Sequence, residues 1–237
     1  MCTDHLVEHK LTGTIYALKS VSRDKIAKYG ISHNVMNQKN ILLRLDHSGI
    51  VHLVKTFKDI DRVYYLWEYI NGIDLWEATR KLDIISDEQA QFYIGNLILA
   101  LEHLEKMKIV HRNLKLENLL VDDEGYISII DFSAAKIIKD RTYTIVGTPH
   151  YIAPEVITGK GYSFFCDVWS MGVLLYELIC YECPFGEKCR DPQDIYSAVI
   201  FDKLTIPPDM LDHPAVPIIR QLLDRTPFRR GTPSSLK

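Results

Sequence analysis

The sequence predicts an α+β fold: a small β-rich part followed by a larger helical part. Two observations carry this. The first seventy residues alternate short apolar strands around one amphipathic helix, and after Asn71-Gly72 long helical spacing takes over. A cleft is expected where the two parts meet, near residue 70. In the first part, residues 14–21 (TIYALKSV) read as a strand, with Gly13 marking the turn before it. Residues 32–45 fit an amphipathic helix, because Val35, Ile41, Leu42 and Leu45 fall near helical spacing. Residues 51–57 and 63–69 alternate as paired strands around a turn at 59–61. In the second part, Ser86 suits the N-cap of a helix reaching about Lys106, with Phe92, Ile94, Leu97, Ile98, Leu101 and Leu104 as its apolar side. A short hairpin follows, with arms at 118–121 and 126–130. An irregular stretch then runs to Glu155, and a helix apolar enough to be buried spans 164–179. No internal repeat or low-complexity segment is visible.

A chain of 237 residues, 47% of them hydrophobic, can fill one large domain or two packed lobes. A formal charge of −3 supplies no general attraction to nucleic acid or to a membrane surface, so neither is expected as a partner. The cysteines (Cys2, Cys166, Cys180, Cys183, Cys189) are odd in number and lack a disulfide-framework spacing, which predicts the reduced thiols of a cytoplasmic protein. Cys180 and Cys183 form a C-x-x-C, but no second half-site completes a zinc centre. Asp4, His5, Glu8, His9 and Lys10 are incompatible with a signal-peptide core. The apolar stretch at 172–180 is too short to span a bilayer and contains Glu177.

Four motifs stand in order along the chain: Tyr16-Ala17-Leu18-Lys19, His111-Arg112-Asn113-Leu114-Lys115-Leu116-Glu117-Asn118, Asp131-Phe132-Ser133 and Ala153-Pro154-Glu155. Singly, each has an ordinary reading, such as a turn aspartate or a solvated lysine. Together, in this order and spacing, they resemble the strand lysine, catalytic loop, metal-binding motif and activation-segment end of protein kinases. Gly147-Thr148-Pro149 and Asp167-Val168-Trp169-Ser170 narrow the resemblance to Ser/Thr kinases of the AGC group, most like the cGMP- and cAMP-dependent types.

The resemblance implies a bilobal kinase fold, with the small lobe at residues 1–70 and the large lobe at 71–237. It implies ATP and Mg²⁺ as cofactors and a protein as substrate or regulated partner. Lys19 would meet the α/β-phosphates, and the helix position that pairs with it is Gln38. Ala17 and Leu120 would sandwich adenine, with Glu68 and Ile70 offering hinge backbone groups. Asn118 and Asp131 would hold magnesium through hard oxygen donors, and Lys115 would offset charge on the transferring phosphoryl group. Thr144 matches the activation-loop phosphosite, with Arg112 and Lys136 to bind its phosphate. Asp74, Glu117, Glu177 and Thr148 match substrate-binding positions, while His150 replaces a further acid. Glu155 is expected to pair with a late arginine, Arg230 ahead of Arg229. Leu42, Leu53, His111 and Phe132 are expected to stack as a column between the lobes.

Departures from the pattern decide the functional expectation. The loop aspartate that accepts the substrate proton is Asn113, whose amide has no useful basicity. Losing a general base typically costs about 10²–10⁴ in rate. No glutamate occurs between Glu8 and Glu68, so Lys19 has no charged helix partner. The first glycine is Gly13, so a small lobe without the glycine-rich loop is expected, and a large lobe without its last helix and tail. Ser133 replaces the glycine of Asp-Phe-Gly, Trp67 narrows the back of the adenine pocket, and Asp4 stands where an apolar residue usually covers the ring. The expectation is a catalytically impaired kinase domain, a pseudokinase that still holds nucleotide and acts as a regulatory or binding module. The alternative is an active Ser/Thr kinase that phosphorylates basic motifs.

Overall fold

The computed structural model describes residues 3–81 and 85–237; Cys2 lies outside them. The N-terminal region is a four-stranded antiparallel sheet of β1 (Thr3–Glu8), β2 (Ile15–Ser22), β3 (Leu53–Lys58) and β4 (Arg62–Glu68), in the order β1-β2-β4-β3. Helices α1 (Arg23–Lys28) and α2 (Ser32–Leu42) connect β2 to β3. The strand β1 is not among the elements the sequence predicts, because TDHLVE has only two apolar residues. It forms on the free edge of β2, in register from Thr3↔Ser20 to Glu8↔Ile15. The Arg62 guanidinium ties the two strands, donating to Ser20 at 2.7 Å and Thr3 at 3.2 Å. Helix α2 ends at Leu42, three residues before the predicted end, in a turn that returns the Leu45 amide to the Leu42 carbonyl.

The rest of the chain is mainly helical. After β5 (Gly72–Asp74) come α3 (Leu75–Lys81), α4 (Asp87–Lys106), β6 (Ile109–Val110), β7 (Leu119–Asp122), β8 (Ile127–Ile129) and β9 (Lys136–Ile137). They are followed by α5 (Pro154–Ile157), α6 (Phe165–Cys180), α7 (Pro192–Phe201) and α8 (Val216–Leu222). At the start of β5, a Cβ on Gly72 would lie 2.1 Å from the Val121 carbonyl oxygen, so only glycine allows β5 to lie against β7 there. The α4 N-terminus is closed by a reciprocal capping box: Ser86 Oγ accepts the Gln89 amide and Gln89 Oε1 accepts the Ser86 amide.

Helix α6 is buried along nearly its whole length, as its apolar circumference requires. Trp169 on it is fully buried and stacks on Phe185, with ring centroids 5.6 Å apart. Leu42, Leu53, His111 and Phe132 are all buried, and the His111 and Phe132 rings meet edge-on at 5.0 Å. Among the described residues no helix is long and apolar enough to cross a membrane.

Candidate active site

The loop between β6 and β7 is held from below by α6. Asp167, in the first turn of α6, accepts the amides of His111 at 2.7 Å and Arg112 at 2.8 Å. Those two bonds fix Arg112 at φ 71, a left-handed conformation that costs about 1–3 kcal/mol and persists only when its surroundings impose it. Burial pushes the Asp167 carboxyl up to about 6, against the pull of the two amides. Burial also pushes the His111 imidazole down to about 4, so it packs on Phe132 as a neutral ring.

Asn113 sits at the centre of this loop. Its side-chain oxygen accepts the Thr148 hydroxyl at 3.1 Å, and its carbonyl accepts the Asn118 amide group at 2.8 Å. Asn118 therefore uses its nitrogen on the loop and keeps its oxygen as an acceptor. The Asn118 carbonyl also takes the Ile130 amide at 3.0 Å, so the β7–β8 pairing brings Asn118 beside the residue before Asp131. These two hard-oxygen side chains on adjacent strand ends are a donor set that fits a magnesium ion. Asp131 in turn accepts the amide and the hydroxyl of Ser133, both at 3.0 Å. Lys115 is drawn toward Glu117, 3.5 Å away.

Lys19 projects from β2 on the face it shares with Ala17, and its cross-strand partners are Asp4 on β1 and Tyr65 on β4. Lys19, Gln38, Tyr65, Asn113, Ser133 and Thr148 line one cavity of about 470 Å³. Gln38 is buried there, yet among the described residues no hydrogen bond links it to Lys19. Ala17, Glu68, Ile70 and Leu120 are not part of that cavity; they lie on β2, at and just beyond the end of β4, and on β7. Trp67 is buried and stacks on Tyr65 at 5.8 Å, and the Tyr65 hydroxyl donates to the Val35 carbonyl at 2.8 Å, tying β4 to α2.

The other predicted site residues make these bonds within the chain. Lys136 donates to the Thr142 hydroxyl at 3.0 Å, and Arg112 directs its Nε to the Ala134 carbonyl at 2.6 Å. Neither cation reaches the exposed Thr144 side chain; the Thr144 carbonyl instead takes the Tyr162 hydroxyl at 2.5 Å. Asp74 caps α3 by accepting the Glu77 amide at 2.8 Å. Glu177 accepts the Tyr151 hydroxyl at 2.5 Å, and burial raises its carboxyl above the ordinary range. His150 meets the Gly186 carbonyl at 3.2 Å. Of the two late arginines, Arg230 forms the bidentate pair with Glu155, at 2.7 and 2.8 Å. Sequence reasoning missed Tyr162, and also Asn37, whose Nδ2 donates to the Ala135 carbonyl at 2.8 Å. The only signal for Asn37 is its place beside Gln38 on α2.

The family model described as protein kinase domain matches residues 5–237. The chain belongs to the protein kinase family. This kinase domain is 46% identical over 225 residues to a cGMP-dependent protein kinase of Plasmodium berghei, covering 95% of the chain and 26% of that relative. It is 42% identical to a cGMP-dependent protein kinase of Toxoplasma gondii, covering 95% of the chain and 23% of the relative. A cAMP-dependent protein kinase catalytic subunit of Dictyostelium discoideum is 37% identical, over 94% of the chain and 34% of the relative. The chain thus spans about a quarter of the length of the two cGMP-dependent relatives.

Proposed function

We propose that this kinase domain binds ATP with magnesium but transfers phosphate slowly, and that it serves as a cytoplasmic regulatory or binding module for a protein partner. The observation that carries the reading is Asn113: its side-chain oxygen is engaged by Thr148, and an amide cannot accept the proton of an attacking hydroxyl. Gln38 adds to the impairment, because Lys19 lacks a carboxylate on α2 to hold it at the phosphates. Residues 1–70 act as the small lobe and 71–237 as the large lobe. Nucleotide would lie between them, with Ala17 and Leu120 against adenine and with Glu68 and Ile70 at the hinge. Magnesium, held by Asn118 and Asp131, neutralises phosphate charge when bound.

A second reading, an active Ser/Thr kinase phosphorylating basic motifs, is favoured by the retained Lys115, Asn118, Asp131 and Thr148. Phosphoryl transfer depends mainly on positioning and electrostatics, which those residues supply. On this reading Asp74, Glu117 and Glu177 meet basic substrate residues, and Thr144 is the regulatory phosphosite with Arg112 and Lys136 turning toward its phosphate. A thermal-shift titration with ATP, with and without magnesium, paired with phosphorylation of an arginine-rich peptide, separates the two. The proposed reading requires stabilisation by about 2.7 kcal/mol at 100 times the dissociation constant. It also requires turnover well below the usual ~1–100 s⁻¹. Turnover in that range favours the second reading, and no shift with either ligand removes nucleotide binding from both.

A further inference from the structure

Asp131 takes two hydrogen bonds from one residue. The Ser133 amide donates to Oδ1 and the Ser133 hydroxyl to Oδ2, each at 3.0 Å. Any residue but proline at 133 could supply the amide bond. The hydroxyl bond needs the serine side chain, since a glycine, as in Asp-Phe-Gly, has none to make it. The terminal torsion of an aspartate is broad, so a single amide leaves the carboxylate plane loosely set. A second donor on the other oxygen fixes it. Each carboxylate oxygen still has a lone-pair site to offer a cation after accepting one hydrogen bond.

The donor is itself anchored. The Ala134 carbonyl accepts Arg112 Nε at 2.6 Å and the Ala135 carbonyl accepts Asn37 Nδ2 at 2.8 Å. The Ala135 amide turns back to the Phe132 carbonyl at 3.1 Å, and the Phe132 ring is fully buried. Ser133 is therefore held from the catalytic loop on one side and from α2 on the other. It also lines the cavity shared by Lys19 and Asn113.

We propose that Ser133 is a positioning residue of the divalent-cation site, its hydroxyl locking the Asp131 carboxylate in the orientation that ligates the ion. The inference rests on the reading that Asp131 and Asn118 hold a cation. Hydrogen bonds that orient a ligating carboxylate from behind are worth roughly 10–100-fold in metal affinity.

The test uses the 237-residue chain, with Mn²⁺ binding followed by the loss of its free electron paramagnetic resonance signal. Binding is measured beside a non-hydrolysable ATP analogue, and the analogue's metal-free affinity is measured separately. Ser133→Ala and Ser133→Gly should each weaken Mn²⁺ binding about 10-fold or more, and Ser133→Thr should restore most of it. Metal-free affinity for the analogue should stay unchanged. Mn²⁺ affinity in Ser133→Ala equal to or tighter than wild type would overturn the inference while leaving the cation site standing. Equal weakening of metal-free nucleotide binding would also overturn it, by pointing to a general loss of structure. If wild type binds no Mn²⁺, the reading of Asp131 and Asn118 falls, and this inference falls with it.

Discussion

Replacing Arg230 with methionine is expected to be among the most damaging single changes away from the cavity. The guanidinium is fully buried and uses all its edges. It donates to both Glu155 oxygens at 2.7 and 2.8 Å, to the Phe165 carbonyl at 2.9 Å and to the Asp224 carbonyl at 2.7 Å. It also lies over the Trp169 ring, 4.9 Å from the centroid. Glu155 is only 8% exposed at its side chain, so removing Arg230 leaves a carboxylate largely cut off from water. Breaking one side of such a pair costs roughly 3–5 kcal/mol. For a chain of this size, about 2–4 °C of melting temperature is lost per kcal/mol, giving a drop of roughly 6–20 °C. Urea and thermal unfolding of Arg230→Met, Glu155→Gln and the double variant measure it. The double variant should be more stable than the sum of the single losses predicts, because no charge is then buried alone. A loss below about 1 kcal/mol in Arg230→Met, or strict additivity in the double variant, would show that Glu155 is not left as a buried unpaired charge.

Two further predictions concern the scaffold. His111 has its imidazole pushed from 6.5 down to about 4 by burial, so the unfolded chain binds its proton more readily between those values. Its contribution to stability is fully present above pH 6.5 and is lost as pH falls toward 4. Asp167 acts in the opposite sense between about 4 and 6, so the readout is the difference between wild type and His111→Phe in denaturant midpoints across that range. A pH-independent difference would contradict the assignment. Gly172 on α6 lies where a Cβ would meet the Leu222 Cβ at 2.7 Å, so α6 and α8 meet there without room for a side chain. Gly172→Val should cost about 1–3 kcal/mol in thermal unfolding, and an unchanged melting point would show that the helices separate freely.

What the sequence made legible was local. Ser86 is legible from the chain as the N-cap of α4, and the structure adds its reciprocal bonds with Gln89. The alternation in TIYALKSV yields β2 in the same way. The partners of charged groups are not local. Arg112 and Lys136 carry the charges expected around Thr144, but their hydrogen bonds go to Ala134 and Thr142, set by how the activation segment folds back on Tyr162. The strand β1 has almost no pattern of its own and exists because β2 offers an edge. A sequence reading of Ser133 sees a glycine missing from a motif. Only the geometry shows a hydroxyl added to Asp131.

On the proposed reading, Asn113 makes phosphoryl transfer slow although nucleotide and magnesium still bind. The single-turnover rate of γ-phosphate transfer to an arginine-rich peptide at saturating Mg·ATP, compared between wild type and Asn113→Asp, measures this. Wild type should fall at least ~10²-fold below the usual range of ~1–100 s⁻¹. Asn113→Asp should recover part of the deficit, with Gln38 keeping it short of full activity. A wild-type rate within that range would show that Asn113 does not impair transfer.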